Sequence, residues 1–315
     1  FTADPRGLPV AGVANAVEAV DVDADGDIDL IVGNAGQNHL LLGDGAGNFT
    51  DGTAGALPPD DNVTQDIDLG DVDGDGDLDL VEGNEDGNRV LLGDGKGRFR
   101  LGGGPDDAAV GGATRLPVRA GGEETREADL GDVDGDGDLD LVLANVGWQG
   151  RPAQDRLLLN DGRGVFADAT ASLPVEGGHT VDADLVDLDG DGDLDIVTAN
   201  AFGGPNGWRV WTNDGRGVFA DATARLLPPG LVGNGVDVEA ADFDGDGVPD
   251  LYLANHSSRD ILLLSSPAPA APPTAAPTAA PPATAATPSA TSSPTASPTA
   301  SPPARAVIAL PFARR

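Results

Sequence analysis

Five near-copies of one aspartate-rich decapeptide, spaced 50, 61, 55 and 55 residues apart, predict an all-β repeat fold: a β-propeller of four-stranded antiparallel blades. Two further observations agree. Apolar runs of four to six residues, bounded by Gly, Asn and Asp, flank the copies and are too short for helices. Asp-Gly pairs recur at 44–45, 94–95, 161–162 and 214–215, where positive φ makes a tight hairpin.

Each repeat begins with a period-two segment such as Val181-Asp182-Ala183-Asp184-Leu185, apolar on one face, which predicts the first strand. The decapeptide follows. It reads DVDADGDIDL at Asp21–Leu30 and DVDGDGDLDL at Asp71–Leu80 and Asp132–Leu141. It continues as DLDGDGDLDI at Asp187–Ile196 and DFDGDGVPDL at Asp242–Leu251. A second strand runs through segments such as Leu141-Val142-Leu143 to an asparagine thirteen residues after the block begins: Asn34, Asn84, Asn145, Asn200 and Asn255. Runs such as Leu157-Leu158-Leu159 form the third strand. After the Asp-Gly-x-Gly turn, Phe49, Phe99, Phe166 and Phe219 open the fourth, each ahead of a Leu-Pro pair. The fifth repeat stops after Ile261–Leu264 with neither turn nor phenylalanine. Phe1-Thr2 leads to Leu8-Pro9 as Phe166 leads to Leu173-Pro174. The N-terminal strand is therefore expected to complete the fifth blade and close a five-bladed ring, without unpaired edges. An arc of a six- or seven-bladed ring is the alternative.

The blocks carry the chemistry. Their pattern places carboxylates at positions 1, 3, 5 and 9, glycine at 6, and a backbone carbonyl at 7. This is the oxygen-only donor set of a hard cation such as Ca²⁺. The expected ligands are Asp21, Asp23, Asp25, Asp27 and Asp29; Asp71, Asp73, Asp75, Asp77 and Asp79; and Asp132, Asp134, Asp136, Asp138 and Asp140. Asp187, Asp189, Asp191, Asp193 and Asp195 follow, then Asp242, Asp244, Asp246, Val248 and Asp250. An EF-hand would need a glutamate at position 12 and flanking helices. Position 12 is Val32, Glu82, Leu143, Thr198 and Leu253, inside strand runs. Dockerin and thrombospondin-type repeats fail for want of a helix and of cysteines. Of 53 acidic residues, 24 lie in the blocks. Such crowding repels strongly without metal, so folding is expected to be linked to about one Ca²⁺ per repeat.

At this point the chain resembles the FG-GAP/VCBS calcium-binding β-propeller repeats, also found in integrin α-subunits. The carrying residues are the five blocks, runs such as Asp195-Ile196-Val197-Thr198-Ala199-Asn200, and the Asn213-Asp214-Gly215-Arg216-Gly217-Val218-Phe219 turn. A literal Phe-Gly…Gly-Ala-Pro signature is not repeated, which places the chain nearer the VCBS variant. Five repeats are fewer than the seven blades usual in that family. The resemblance implies an extracellular adhesion or carbohydrate-contact module, hence a secreted or cell-surface location and binding ahead of catalysis.

Composition excludes other classes. A net charge of −35 with Lys96 as the single lysine cannot neutralise nucleic-acid phosphates. Absence of cysteine removes disulfides, thiol nucleophiles and zinc-thiolate sites. No apolar run reaches the roughly 20 residues of a membrane helix. The start at Phe1 without a signal peptide is expected of a trimmed product or fragment. His39, His179 and His256 lack a catalytic motif, and Gly102–Gly104 with Gly111-Gly112 lacks the strand–helix setting of a phosphate loop.

In an up-and-down blade, the blocks and Asp-Gly turns share one face, and the length variation falls on the other. It comprises Val146–Asp155 with Trp148, Ala201–Gly207 before Trp208, and Leu101–Thr125. Variable loops on a rigid scaffold usually carry binding sites. Asp66, Glu127, Asp182 and Asp237 lie five positions before their blocks; Glu18, Asp68, Asp129, Asp184 and Glu239 lie three before. These are expected to form carboxylate rings beneath Trp148 and Trp208, suited to a glycan or an extracellular protein bound by a monomer; Trp211 is expected in the core. A carbohydrate-active hydrolase or lyase using those axial carboxylates is the alternative. Residues 1–265 form the repeat domain. Residues 266–304 contain only Pro, Ala, Thr and Ser, a stalk whose reach in polyproline II is on the order of 100 Å. Residues 305–315 form a short apolar and basic peptide.

Overall fold

The computed structural model describes residues 7–102, 116–117, 119–120, 122–147, 153–175, 178–201, 207–256 and 258–266. Its strands follow the repeats. The first sheet contains β1 (Ala14–Val20), β2 (Asp29–Asn34), β3 (His39–Gly43) and β4 (Phe49–Asp51). The second contains β5 (Thr64–Gly70), β6 (Asp79–Asn84), β7 (Arg89–Gly93) and β8 (Phe99–Leu101). The third contains β9 (Thr125–Gly131), β10 (Asp140–Asn145), β11 (Arg156–Asn160) and β12 (Phe166–Asp168). The fourth contains β13 (Thr180–Val186), β14 (Asp195–Asn200), β15 (Trp208–Asn213) and β16 (Phe219–Asp221). The fifth has three strands: β17 (Gly235–Ala241), β18 (Asp250–Asn255) and β19 (Ile261–Leu263). All neighbours are antiparallel and sequential. Among the described residues, helix is confined to the single turn α1 (Thr223–Leu226) and a 3-10 turn at Thr170–Ser172.

Successive sheets pack face to face, and four apolar clusters fill the gaps. Val22, Ile31 and Leu40 meet Ile67, Leu80 and Leu91; Val72 and Val81 meet Ala128 and Leu141. Val133 and Val142 meet Ala183 and Ile196; Val197 and Val210 meet Val238 and Leu251. This two-faced burial explains why the second strands read as continuous apolar runs: both faces are covered. The thirteenth-position asparagines end the second strands, and in the middle three sheets they tie to the first strand through a threonine. Asn84, Asn145 and Asn200 accept a hydrogen bond through Oδ1 from the hydroxyl of Thr64, Thr125 or Thr180, which opens the neighbouring strand.

The first strands lie side by side in the order β1, β5, β9, β13, β17. Among the described residues, β17 has no comparable packing against β1. Phe1-Thr2, expected as the fourth strand of the last sheet, lies outside the described residues. So do Trp148, most of the 101–125 insertion, and the C-terminal 267–315 segment.

Candidate metal centre and loop-face cleft

Each aspartate block leaves a first strand and turns sharply into the second. Positions 4 and 6 take positive φ: Gly74 and Gly76 at 76° and 91°, Gly190 and Gly192 at 80° and 98°. In the first block position 4 is Ala24, at φ 61°, a conformation that glycine adopts without strain. The position-1 carboxylate organises this turn. Asp71 accepts hydrogen bonds from the N–H groups of Gly74 (2.8 Å), Asp75 (3.1 Å) and Gly76 (3.0 Å). Asp187 and Asp242 repeat all three contacts.

Position 9 has a second duty that sequence reasoning missed. Asp79 accepts from Val72 N at 3.0 Å and from Gly93 N at 2.8 Å, tying the block to the end of the third strand. Asp29, Asp140, Asp195 and Asp250 make the same pair of bonds to their own sheets. All five are buried. Burial pushes Asp79 and Asp140 up to about 6, against the pull of these hydrogen bonds.

The blocks bring ligand atoms together as a metal site requires. Oxygens of Asp21, Asp23 and Asp29, of Asp71, Asp73 and Asp79, and of Asp187, Asp189 and Asp195 lie within 4.8 Å of one another. In the third and fifth sheets the converging sets are Asp132, Asp134, Asp136 and Asp242, Asp244, Asp246. Burial and neighbouring carboxylates raise the position-3 groups Asp23, Asp134 and Asp244, a cost that a bound cation would reverse. All donors are oxygens, so the set fits a hard cation. The side chains at position 7 stand outside these sets. Those of Asp27, Asp77, Asp138 and Asp193 lie over Gly45, Gly95, Gly162 and Gly215, where a Cβ would collide with them. The Asp-Gly turns and the blocks therefore share one end of the sheets, as expected.

Acidic residues of the first strands lie close to those of the neighbouring sheets, as Glu127 does to Asp66 and Asp182, and five of them also bond the next sheet. Asp66 accepts from Ala128 N at 3.0 Å and Asp68 from Leu130 N at 2.8 Å. Asp129 accepts from Leu185 N, Asp182 from Val238 N and Asp184 from Ala240 N. Each carboxylate thus caps the free N–H edge of the next inner strand, a row that would otherwise stay unpaired. Crowding has a price: burial, then the charges of Asp68 and Glu18, pushes Asp66 up to about 7. Burial and neighbouring carboxylates also raise Glu127 and Asp182 well above the usual range.

The sign of the resulting pH dependence is the reverse of a salt-bridged carboxylate. A raised pKa favours the native state below the unfolded value, and that stability is lost as pH rises through about 7. Asp66→Asn keeps an oxygen for Ala128 N and removes the charge. It should stabilise the calcium-saturated protein at pH 7.5 by on the order of 1–3 kcal/mol, with the gain vanishing toward pH 4. Thermal melts of both proteins across that range test this; parallel curves would refute it.

Two aromatic expectations divide. Trp211 is core, as predicted. Trp208, expected in a loop as a ligand platform, instead opens β15 and is 1% exposed, packed with Val197, Val210 and Leu253. Its alternation with Val210 in the strand buries it, so it presents no face to a ligand. His179 accepts from Gly147 N through Nδ1 and His39 contacts Thr53, both structural contacts.

The loop end opposite the blocks holds a cleft of about 260 Å³ between the second and third sheets, lined in part by Asp86, Asn88, Arg89, Leu116, Arg119 and Glu123. Arg89 pairs with Asp60 at 3.0 Å and Glu82 at 2.7 Å. Buried Arg156 holds Glu123 through two contacts of 3.1 and 3.0 Å, and also bonds Asp168 and Pro117 O. Arg119 donates to Gln154 O and has no ion pair among the described residues. Burial lowers its pKa, and nearby Glu123 opposes this. Sequence reasoning placed a site on this face without naming Arg119, whose setting depends on contacts between sheets.

Comparisons with known proteins follow the same lines. The FG-GAP-like repeat family matches residues 21–82, 132–198 and 187–253. No curated protein matches the chain. Among solved structures, an Agrocybe aegerita lectin described for specific recognition of non-reducing terminal N-acetylglucosamine is 21% identical, with a TM-score of 0.44 over 75% of this chain and 59% of its own. The V. cholerae biofilm matrix protein Bap1 is 17% identical, with a TM-score of 0.44 over 78% of this chain and 36% of that one. This chain therefore spans less than two thirds of either. With its repeats matched over more than half its length and the aspartate blocks at the start of each match, the chain belongs to the FG-GAP-like repeat family.

Proposed function

We propose that the five sheets are blades of a β-propeller, that each block holds one Ca²⁺, and that the protein is a secreted or cell-surface binding module. It recognises a glycan or extracellular protein through the loop face opposite the calcium blocks. The observation that carries this reading is the cleft beside Arg119: a half-buried guanidinium that donates to Gln154 O and has Glu123 nearby, at the mouth of a groove in a chain of net charge −35. Such a group favours an anionic ligand that brings its own carboxylate, such as an acidic sugar. Carboxylate-rich calcium loops fill at the millimolar levels found outside cells, which supports the location. We read it as a module that works without catalysis: Asp182, one of the two carboxylates a hydrolase would use with Asp237, serves as a backbone acceptor between sheets.

A glycan array probed with the calcium-loaded protein tests this. Binding should concentrate on uronate- or sialate-bearing glycans and vanish in EDTA. Arg119→Gln should weaken it at least tenfold with no change in melting temperature, about 1.4 kcal/mol or more of binding energy. Equal binding by Arg119→Gln would remove the cleft from the reading.

A further inference from the structure

Two asparagines at the ends of third strands tie the aspartate block of one sheet to the block of the sheet before it. Asn160 ends β11 and is 7% exposed. Its backbone N–H donates to Asp140 Oδ1 at 2.9 Å and its Nδ2 to Leu139 O at 3.1 Å, positions 9 and 8 of the block in its own sheet. The same Nδ2 donates at 2.8 Å to Val72 O, the carbonyl between Asp71 and Asp73 in the block of the preceding sheet. Its Oδ1 accepts from Asp161 N, which fixes the orientation of the amide. Asn213 repeats the arrangement one sheet later, meeting Asp195 Oδ1 at 2.9 Å, Leu194 O at 3.0 Å and Val133 O at 2.7 Å.

The surroundings make each bridge stiff. Val72 and Val133 are buried, and the position-4 glycines lie against the next Asp-Gly turn. A Cβ at Gly74 would stand 3.2 Å from Gly162 O, and one at Gly135 3.4 Å from Gly215 O. A buried amide that leaves its partners strands two carbonyls away from water, so the bridge holds or breaks as a unit. The second sheet lacks it. Gly93 stands at the corresponding position, where a Cβ would run into Leu78 O. It keeps the backbone bond to Asp79 and has no side chain to reach the first block. The sheet forms without the asparagine, which leaves the link between blocks as the work of the side chain.

We propose that Asn160 and Asn213 are positioning residues that couple the cation sites of the second, third and fourth sheets, a link that rests on the reading of one Ca²⁺ per block. An empty block is a crowd of like charges on a glycine-rich turn, and ordering it costs conformational entropy. Filling the third block fixes Leu139 and Asp140, and with them the Asn160 amide and the Val72 carbonyl that it holds. The second block then binds its ion with part of the ordering already done. This is positive coupling without any new contact to the ion. The bistable element is the block itself, ordered or not, and linkage makes the effect reciprocal. Asn213 carries the same coupling between the third block, through Val133, and the fourth, through Leu194 and Asp195.

Position-6 glycine amides report each block separately, because Gly76, Gly137 and Gly192 donate to Asp71, Asp132 and Asp187. Calcium titration of the full chain is followed at these amides by NMR, in the cold, where the calcium-free sheets stay folded. Asp134→Ala, which disables the third block, should raise the calcium midpoint at Gly76 by about fivefold or more. In an Asn160→Ala background that effect on Gly76 should disappear, while the effect of Asp134→Ala on Gly192 persists through Asn213. A merely structural loss would act on both neighbours alike. Asn213→Ala should give the mirror result, sparing Gly76 and releasing Gly192, and serves in its place where Asn160→Ala does not fold. A Gly76 midpoint that ignores Asp134→Ala, or that shifts equally with and without Asn160, would overturn the coupling while leaving the calcium sites standing. Amides that never respond to calcium would sink the calcium reading and the coupling with it.

Discussion

Stripping divalent cations should lower the unfolding temperature of this protein by more than 15 °C, and at 37 °C should leave much of it unfolded. Each block gathers three carboxylates within 4.8 Å, and the turn that gathers them is held by backbone N–H groups, which favours the charged form without neutralising it. A ligand present at about 100 times its dissociation constant contributes about 2.7 kcal/mol per site. Five such sites contribute on the order of 13 kcal/mol, comparable with the whole stability of an ordinary domain. Because each block also anchors the third strand through its ninth residue, as Asp79 does through Gly93, loss of the ion loosens the sheet and the neighbours packed on both its faces. Scanning calorimetry in millimolar calcium and in EDTA measures the shift. Isothermal titration should count about five sites, with magnesium a poor substitute because it resists dehydration. A shift below about 2 °C would show that the blocks are acidic turns that need no ion.

Much of this architecture can be read in the chain because it is local. The Asp-Gly pairs, the asparagine at the thirteenth position and the alternation of Val181–Leu185 each act within one hairpin, and the strands fall where those signals put them. What could not be read depends on register between repeats. Asp66 and Ala128 are 62 residues apart, and nothing in either segment says that the carboxylate of one will cap the N–H of the other. Period-two acidic residues fit a solvated channel and an edge-capping row equally well; burial decides, and burial belongs to the neighbouring sheet. Trp208 misled for a related reason. It follows a glycine-rich stretch of sequence, but pairing with Ala199 starts β15 at the tryptophan itself, and the strand's alternation turns it inward with Val210.

The second large effect should come from Arg156, which carries no mark in the sequence beyond preceding a leucine run. It is 1% exposed, and its guanidinium spends its donors on both oxygens of Glu123, on Asp168 and on Pro117 O. Glu123 is itself buried, so Arg156→Ala takes two charge-assisted hydrogen bonds from a carboxylate held away from water and should destabilise the chain by about 3–5 kcal/mol. Arg156→Lys keeps the charge but loses the planar fork that meets two oxygens at once, and should cost about half as much. The informative variant is the pair. Removing Glu123 together with Arg156 takes away the carboxylate that had lost those two bonds, so the double alanine variant should be more stable than the sum of the singles implies, by at least about 1 kcal/mol. Urea unfolding in saturating calcium supplies all four corners of that cycle. Strict additivity would mean that the contact holds no net energy and that Arg156 is kept for packing alone. Positive coupling would make this buried pair the clamp that holds the floor of the Arg119 cleft in place, and Arg156→Ala should then weaken ligand binding there even at temperatures where the sheets remain folded.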